Sequence, residues 1–318
     1  MNYREAVKYM DELGRYGSKP GLDRLRILAS RLGNPQDKLK FIHISGTNGK
    51  GSTAAFLAGI LKSAGYTTGM YTSPFILRIN EQVRINGQEI SDDEFAQYVT
   101  IVKAAADKMA DEGLDHPTQF EVLTAMSFLY FYEKMCGVVI LEAGMGGRLD
   151  ATNIITESLV SVITKISFDH MDFLGNTLPK IAYEKAGIIK QGGNVVLYPQ
   201  EEEALDTIKE VAKNLGVEIF YADPKEITNI SIRRGQLSFM HRVYGKLQTS
   251  VTGVHQVNNA AVAIKTVEVL NNIGFTIERE AVVRGFNDAR WPGRFELIST
   301  EPDFYIDGGH NPDGIRSL

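Results

Sequence analysis

Apolar residues fall along this chain in two alternating rhythms. Phe41-Ile42-His43-Ile44 and Val138-Val139-Ile140-Leu141 are unbroken runs that read as buried strands, and Thr67 to Thr72, Leu159 to Ile163, Val195 to Tyr198 and Glu218 to Tyr221 read as further strands. Between them the spacing turns helical: Ala54 to Leu61, Phe95-Tyr98-Val99-Val102, Val122-Leu123-Met126-Leu129, Ile181 to Ile189, Glu202 to Leu215 and His255 to Leu270. Ser91 to Glu94 and Thr118 to Glu121 are capping boxes, and Pro179 suits a helix start. Two more helical patterns, Ala6 to Leu13 and Leu22 to Leu32, come first and predict a lid or packing layer. Strands alternating with helices predict an α/β fold with a P-loop-type, mostly parallel sheet flanked by helices.

Three stretches break the rhythm. Arg78 to Gly87 is polar with a glycine turn and reads as a mobile loop over the site. Residues 224 to 251 carry short alternating runs around the Gly245 turn, which predicts a small antiparallel β appendage. Arg290 to Arg294 reads as a hinge, and Phe304 to Asp307 as a strand emptying into Gly308-Gly309-His310-Asn311-Pro312, the way a second α/β domain begins. The expected division is therefore 1–290 as the main domain and 291–318 as linker and first strand of another. There is no internal repeat.

The chemistry gathers at the ends of the predicted strands. Gly46-Thr47-Asn48-Gly49-Lys50-Gly51-Ser52-Thr53 lies between a strand and a helix, where glycines let backbone N–H groups face an anion and Lys50 reaches a terminal phosphate. A glycine-rich turn without ligand is the alternative. The usual spacing would put a glycine where Ile44 stands and a hydroxyl where Gly51 stands, so a metal-binding hydroxyl falls to Ser52, Thr53 or a residue elsewhere. Ser73, after the second strand, is either a metal ligand or a turn serine before Pro74. Glu142 ends an apolar strand just before glycines and is the first choice for a metal-directed acid, with a surface carboxylate as the alternative. His170 is a metal ligand or a hydrogen-bonded loop histidine. Lys185, on its residues alone, reads as a solvated helix lysine.

Composition narrows the classes. The 318 residues are 43% hydrophobic and 23% charged with a formal net charge of -5, enough for a sizeable core and against a general nucleic-acid binder. One cysteine, Cys136, allows no internal disulfide or thiolate cluster and reads as packing. The start lacks the order of a signal peptide and no apolar run approaches membrane-spanning length, so a cytoplasmic protein that engages no membrane is expected.

Taken together, Gly46 to Ser52, Thr72-Ser73-Pro74-Phe75, Glu142 with Gly144 to Asn153, Asp169-His170, Glu184-Lys185-Ala186-Gly187-Ile188-Ile189-Lys190, Pro292-Gly293-Arg294 and Asp307 to Pro312 resemble the folylpolyglutamate synthase and dihydrofolate synthase branch of the Mur ligase superfamily. The resemblance implies an ATP-dependent ligase that adds L-glutamate to folates, with dihydropteroate as a second candidate acceptor, through an acyl phosphate. It implies that Thr47, Asn48, Gly49, Lys50, Gly51, Ser52 and Thr53 hold ATP, with Asn259, Arg294 and Asp307 contacting it. Ser73, Glu142 and His170 match Mg²⁺ ligands, as does Lys185 once carbamylated. His310 belongs to a domain-junction motif and joins Lys50 and Lys185 as catalytic candidates. Thr118, Gln119, Phe120, Leu149, Asp150 and Ala151 match the pterin-bearing substrate site. The resemblance further implies a Rossmann-like C-terminal domain, of which only the first strand and turn are expected here, and a monomer. The rival readings are another Mur-type amide ligase acting on a UDP-sugar peptide and a non-catalytic nucleotide-binding module.

Overall fold

In the computed structural model, which describes residues 1–17 and 19–318, the buried runs pair into one sheet while the helical stretches cover it. Helices α1 (Tyr3–Leu13) and α2 (Asp23–Arg31) precede β1 (Phe41–Ser45), α3 (Lys50–Ser63) and β2 (Thr68–Tyr71). Then come β3 (Val83–Ile85), β4 (Gln88–Glu89), α4 (Asp92–Asp111), α5 (Gln119–Glu133) and β5 (Val138–Glu142). The chain continues through β6 (Val160–Ile163), α6 (Met171–Leu174), α7 (Leu178–Ala186), β7 (Val195–Leu197), α8 (Glu202–Leu215) and β8 (Ile219–Tyr221). Strands β9 (Ile227–Arg233), β10 (Gln236–His241) and β11 (Gly245–Thr249) form the expected antiparallel appendage. Helices α9 (Gln256–Asn272) and α10 (Arg279–Asp288), strands β12 (Glu296–Thr300) and β13 (Asp303–Ile306), and α11 (Pro312–Arg316) complete the chain.

The eight-stranded sheet runs β4-β3-β2-β5-β1-β6-β7-β8, parallel from β2 to β8. After β1 the chain crosses through α3 to β2, two places away, leaving a gap that β5 later fills; β6 then joins on the other side of β1. The carboxyl ends of β2, β5, β1 and β6 thus meet where the strand order reverses, the position at which open α/β sheets bind ligands. Every residue of β1 and β5 is buried because both faces of the sheet are covered. Ile42 and Ile44 pack with α3, α9, α10 and the appendage, while Phe41 turns to the opposite layer built from α1, α2, α4 and α5.

Both capping boxes form, at Ser91 on α4 and Thr118 on α5, each with reciprocal bonds to the glutamate three residues on. Three segments depart from expectation. Arg78 to Gly87 is not a loop over the site: Ile79–Gln82 is a 3-10 turn and β3 pairs antiparallel with β2, because Ile79 and Val83 bury beneath polar neighbours and the Asn80 amide bonds Ile90 O at 2.9 Å. Helix α10 has no counterpart in the sequence pattern; it lies against α3, with the Phe286 ring tilted at 42° to that of Phe56 and their centroids 4.9 Å apart. The strand expected near Phe304 is present as β13, yet it pairs antiparallel with β12.

Candidate functional site

A cleft of about 890 Å³ opens at the meeting of those strand ends, within the size range of small-molecule sites. Its floor is the loop from Gly46 into α3. Helix geometry leaves the N–H groups of Lys50, Gly51 and Ser52 without intrahelical partners, so the helix start presents donors and partial positive charge to an anion. Lys50 folds back to donate to the carbonyls of Gly46 (3.1 Å) and Thr47 (3.3 Å), with its Nζ 4.0 Å from Glu142 Oε1. The structure also explains the glycine where a hydroxyl residue usually follows the lysine. A Cβ on Gly51 would sit 2.7 Å from the Trp291 ring, so the indole fills the space a serine would need. Of the two hydroxyls that follow, Ser52 lines the cleft, whereas Thr53 is fully buried with no hydrogen-bond partner for its oxygen and lies outside it. The expectation that Thr53 touches the nucleotide is corrected accordingly.

Glu142, delivered by β5, is buried, and its Oε2 has no hydrogen-bond partner among the described residues. Burial pushes its carboxyl up to about 7 against the opposing pull of Lys50 and Arg294. Ser73 and His170 line the same cleft. A buried carboxylate oxygen lacking a partner, beside hydroxyls on two other walls, is the hard oxygen set that suits Mg²⁺; His170, half exposed, is the least natural donor among them. Lys185 is not a solvated helix lysine. It is buried, donates to Gly46 O at 2.8 Å, and is brought down to about 7 by desolvation first and by the positive charge of Lys50 second. Near neutral pH about half of that amine is therefore uncharged, far more than for an ordinary lysine, and the uncharged amine is the form a carbamate needs.

The other end of the cleft is less charged. Thr118, Gln119 and Phe120 at the start of α5 face Leu149, Asp150 and Ala151 across it. Asp150 is buried, and its carboxylate is occupied by the loop itself, accepting from Met145 N (2.9 Å), Thr152 N (2.9 Å) and Thr152 Oγ1 (2.5 Å). Asn259, Arg294, Asp307 and His310 complete the wall beyond the phosphate loop. Asp307 pins the turn there, its carboxylate accepting from Phe295 N at 2.8 Å and Gly309 N at 2.6 Å.

The cleft thus gathers all the expected site residues except Thr53. It also contains residues that no sequence motif pointed to: Gly17, Lys19, Pro20 and Gly21 before α2, Phe173, and Gln256, whose side chain accepts from Asn259 at 2.9 Å. The glycines at 17 and 21, between the two N-terminal helices, are the one sequence signal for the first group. A separate cluster, Glu226, His241 and Glu268, groups potential metal ligands at the appendage. His241 Nδ1 accepts from the backbone of Val243 (3.2 Å) and Tyr244 (3.4 Å), which leaves the proton on Nε2 facing Glu226, the wrong tautomer for a ligand.

Comparison with known proteins agrees with this geometry. Residues 44–267 match the Mur ligase middle domain. A dihydrofolate synthase/folylpolyglutamate synthase from Bacillus subtilis (strain 168) is 42% identical over 323 residues, covering 99% of this chain and 75% of the relative. A folylpolyglutamate synthase from Lacticaseibacillus casei is 36% identical over 325 residues, covering 100% of this chain and 76% of the relative. Among solved structures, an FPGS-AMPPCP-folate complex superposes with a TM-score of 0.91 at 35% identity, covering 100% of this chain and 79% of that one. The Mycobacterium tuberculosis folylpolyglutamate synthase complexed with ADP and AMPPCP gives a TM-score of 0.89 at 31% identity, covering 100% of this chain and 73% of that one.

Proposed function

Because the chain belongs to the folylpolyglutamate synthase and dihydrofolate synthase family of Mur-type ligases, we propose that its cleft attaches L-glutamate to folates at the expense of ATP. The observation that carries this reading is the grouping, in one cleft, of Lys50 on an anion-binding helix start, the partnerless Glu142 oxygen, and the buried Lys185 amine beside a less charged acceptor end.

The reaction follows from that grouping. A carboxylate oxygen of the folate attacks the γ-phosphorus of ATP, the bond to the bridging oxygen breaks, and ADP leaves with the electron pair. The amine of glutamate then attacks the acyl carbon, expels inorganic phosphate and loses a proton, forming the amide. Two anions meet in the first step, so positive charge has to be fixed in place beforehand; Lys50, Arg294 and the α3 helix start supply it. Mg²⁺ fits the Glu142, Ser73 and Ser52 oxygens, with His170 and a carbamylated Lys185 completing the set, and when bound it would offset further phosphate charge. Thr47 to Ser52, Asn259, Arg294 and Asp307 bind the nucleotide, and Thr118 to Phe120 with Leu149 to Ala151 receive the pterin-bearing acceptor. His310 works at the junction between the main body, 1–290, and residues 291–318, whose β12–β13 pair and α11 lead into a glutamate-ligase domain.

Dihydropteroate is a second acceptor on this reading, favoured by the double name of the Bacillus subtilis relative. The net charge of -5 supports small-molecule partners over nucleic acid, and among the described residues no helix is long and apolar enough to cross a membrane. A cytoplasmic monomer completes the proposal. The test is incubation with ATP, tetrahydrofolate and labelled glutamate. Label entering a longer folate with matching ADP release supports the reading; ADP release driven instead by a UDP-sugar peptide, or none with any acceptor, overturns it.

A further inference from the structure

Strand β1 carries two polar side chains into an otherwise apolar sheet face, and both reach across to the loop that follows β5. His43 is fully buried, its Nε2 2.9 Å from Thr152 Oγ1; Ser45, also buried, donates to Gly146 O at 2.6 Å. The proton arrangement is determined by the partners. Asp150 Oδ1 only accepts, so the Thr152 hydroxyl donates to it and has a lone pair left for His43. His43 therefore donates from Nε2, and its buried Nδ1 has no partner among the described residues. Burial, aided by Lys190, brings the imidazole down to about 3, which keeps it a neutral donor across the physiological range.

Helix α7 holds the same loop from the other side, Arg148 N donating to Glu184 O at 2.7 Å and its guanidinium to Glu184 Oε1 at 2.8 Å, while the Asn153 amide donates to Arg148 O at 3.1 Å. Asp150 gathers Met145 N and Thr152 N, while Gly147 crosses α7 so closely that a Cβ would meet Lys185 O at 2.8 Å. A polar group on a core strand has to offset its own desolvation. Two such groups, two residues apart and both directed at one loop, form a built connection between the strand that delivers the phosphate loop and the segment that faces α5 across the cleft.

We propose that His43, through Thr152 and Asp150, and Ser45, through Gly146, are positioning residues that hold the Gly144–Asp150 loop in the form that receives the folate acceptor. Neither touches substrate. The proposal rests on the reading of this loop as the acceptor site, and it makes Asp150 chiefly a clasp of the loop.

Steady-state kinetics on His43→Leu, His43→Gln, Thr152→Val and Ser45→Ala test it. Loss of one buried hydrogen bond of the relay in His43→Leu is expected to raise the KM for the folate acceptor about tenfold, and loss of two in Thr152→Val at least as much, with the KM for ATP within about twofold in both. Ser45→Ala should move the same parameter. His43→Gln, whose amide can donate in place of Nε2–H, is expected to recover most of the loss. A merely structural role would instead lower kcat through a smaller active fraction and leave both KM values alone. That outcome, or equal rises in both KM values, overturns the proposal. Should His43→Leu fail to fold, Thr152→Val and Thr152→Ser carry the same comparison, with serine expected to behave like the parent. A parent enzyme without folate-dependent ligation overturns the acceptor reading itself.

Discussion

Replacing Glu142 with Gln should make the protein more stable and nearly inactive, with the stability gain depending on pH. The folded-state carboxyl stands at about 7 against an ordinary value of 4.5, so between those values the folded protein binds more proton than the unfolded chain. Stability from this group is full below 4.5, falls as pH rises through 7, and is flat above. The shift corresponds to about 3 kcal/mol. Urea melts of parent and Glu142→Gln, at intervals from pH 4.5 to 8.5, should therefore coincide at the acid end and separate to about 3 kcal/mol above pH 8, the variant being the more stable. Lys50 loses a partner at 4.0 Å but keeps the carbonyls of Gly46 and Thr47, so its contribution to the difference is small. Titratable groups common to both proteins cancel in the comparison. Mg²⁺ with a nonhydrolysable ATP analogue should close the gap by stabilising the parent alone, while turnover of the variant falls by about a hundredfold or more. Equal stabilities at pH 8.5, or a less stable variant, would refute the account of Glu142 as a carboxylate held ready for a cation.

Lys185, brought down to about 7, should take up carbon dioxide as the carbamate. Turnover is expected to drop when dissolved carbon dioxide and bicarbonate are stripped and to return on their readdition, with Lys185→Arg inactive under both conditions. Trp291, the only tryptophan of the chain, occupies the space beside Gly51. Gly51→Ser should displace the ring, change its emission wavelength and weaken ATP binding about tenfold or more, whereas unchanged fluorescence would remove the steric explanation. His43, held at about 3 against an ordinary 6.5, binds less proton when folded than when unfolded. It should contribute acid sensitivity, with stability full above 6.5 and lost as pH falls toward 3, by at most about 5 kcal/mol. Denaturation midpoints of parent and His43→Gln should lie close together above pH 6.5 and separate as pH falls toward 3, the variant becoming the more acid-resistant.

The parts legible in the sequence were those whose chemistry is local. Lys50 among glycines, between an apolar run and a helix, and Glu142 at the end of four apolar residues announce strand ends that face a ligand, and β1 and β5 place them there. The capping boxes at Ser91 and Thr118 gave two helix starts to the residue. What stayed hidden depends on distant neighbours. Lys185 has ordinary helical spacing, and its burial comes from Gly46, 139 positions earlier. Thr53 follows Ser52 directly, yet the helix turns it into the core. Helix α10 buries only Ala281, Val282, Gly285 and Phe286 among charged residues, too thin a stripe to stand out beside the longer α9. Strand β3 has one fully buried residue and two half-buried ones, so its polar composition read as loop. For the candidate site, the resemblance to a family of ligases supplied the role of Lys185, and the structure supplies a physical reason for it.

The central claim is that one cleft brings a folate carboxylate against the terminal phosphate of ATP and passes the activated acyl group to glutamate. Folate carrying heavy oxygen in its terminal carboxylate tests this in a single turnover. The account predicts that one labelled oxygen appears in the inorganic phosphate released, in proportion to the amide formed. Amide formation with all label retained in the folate product, or phosphate released without any, would contradict it.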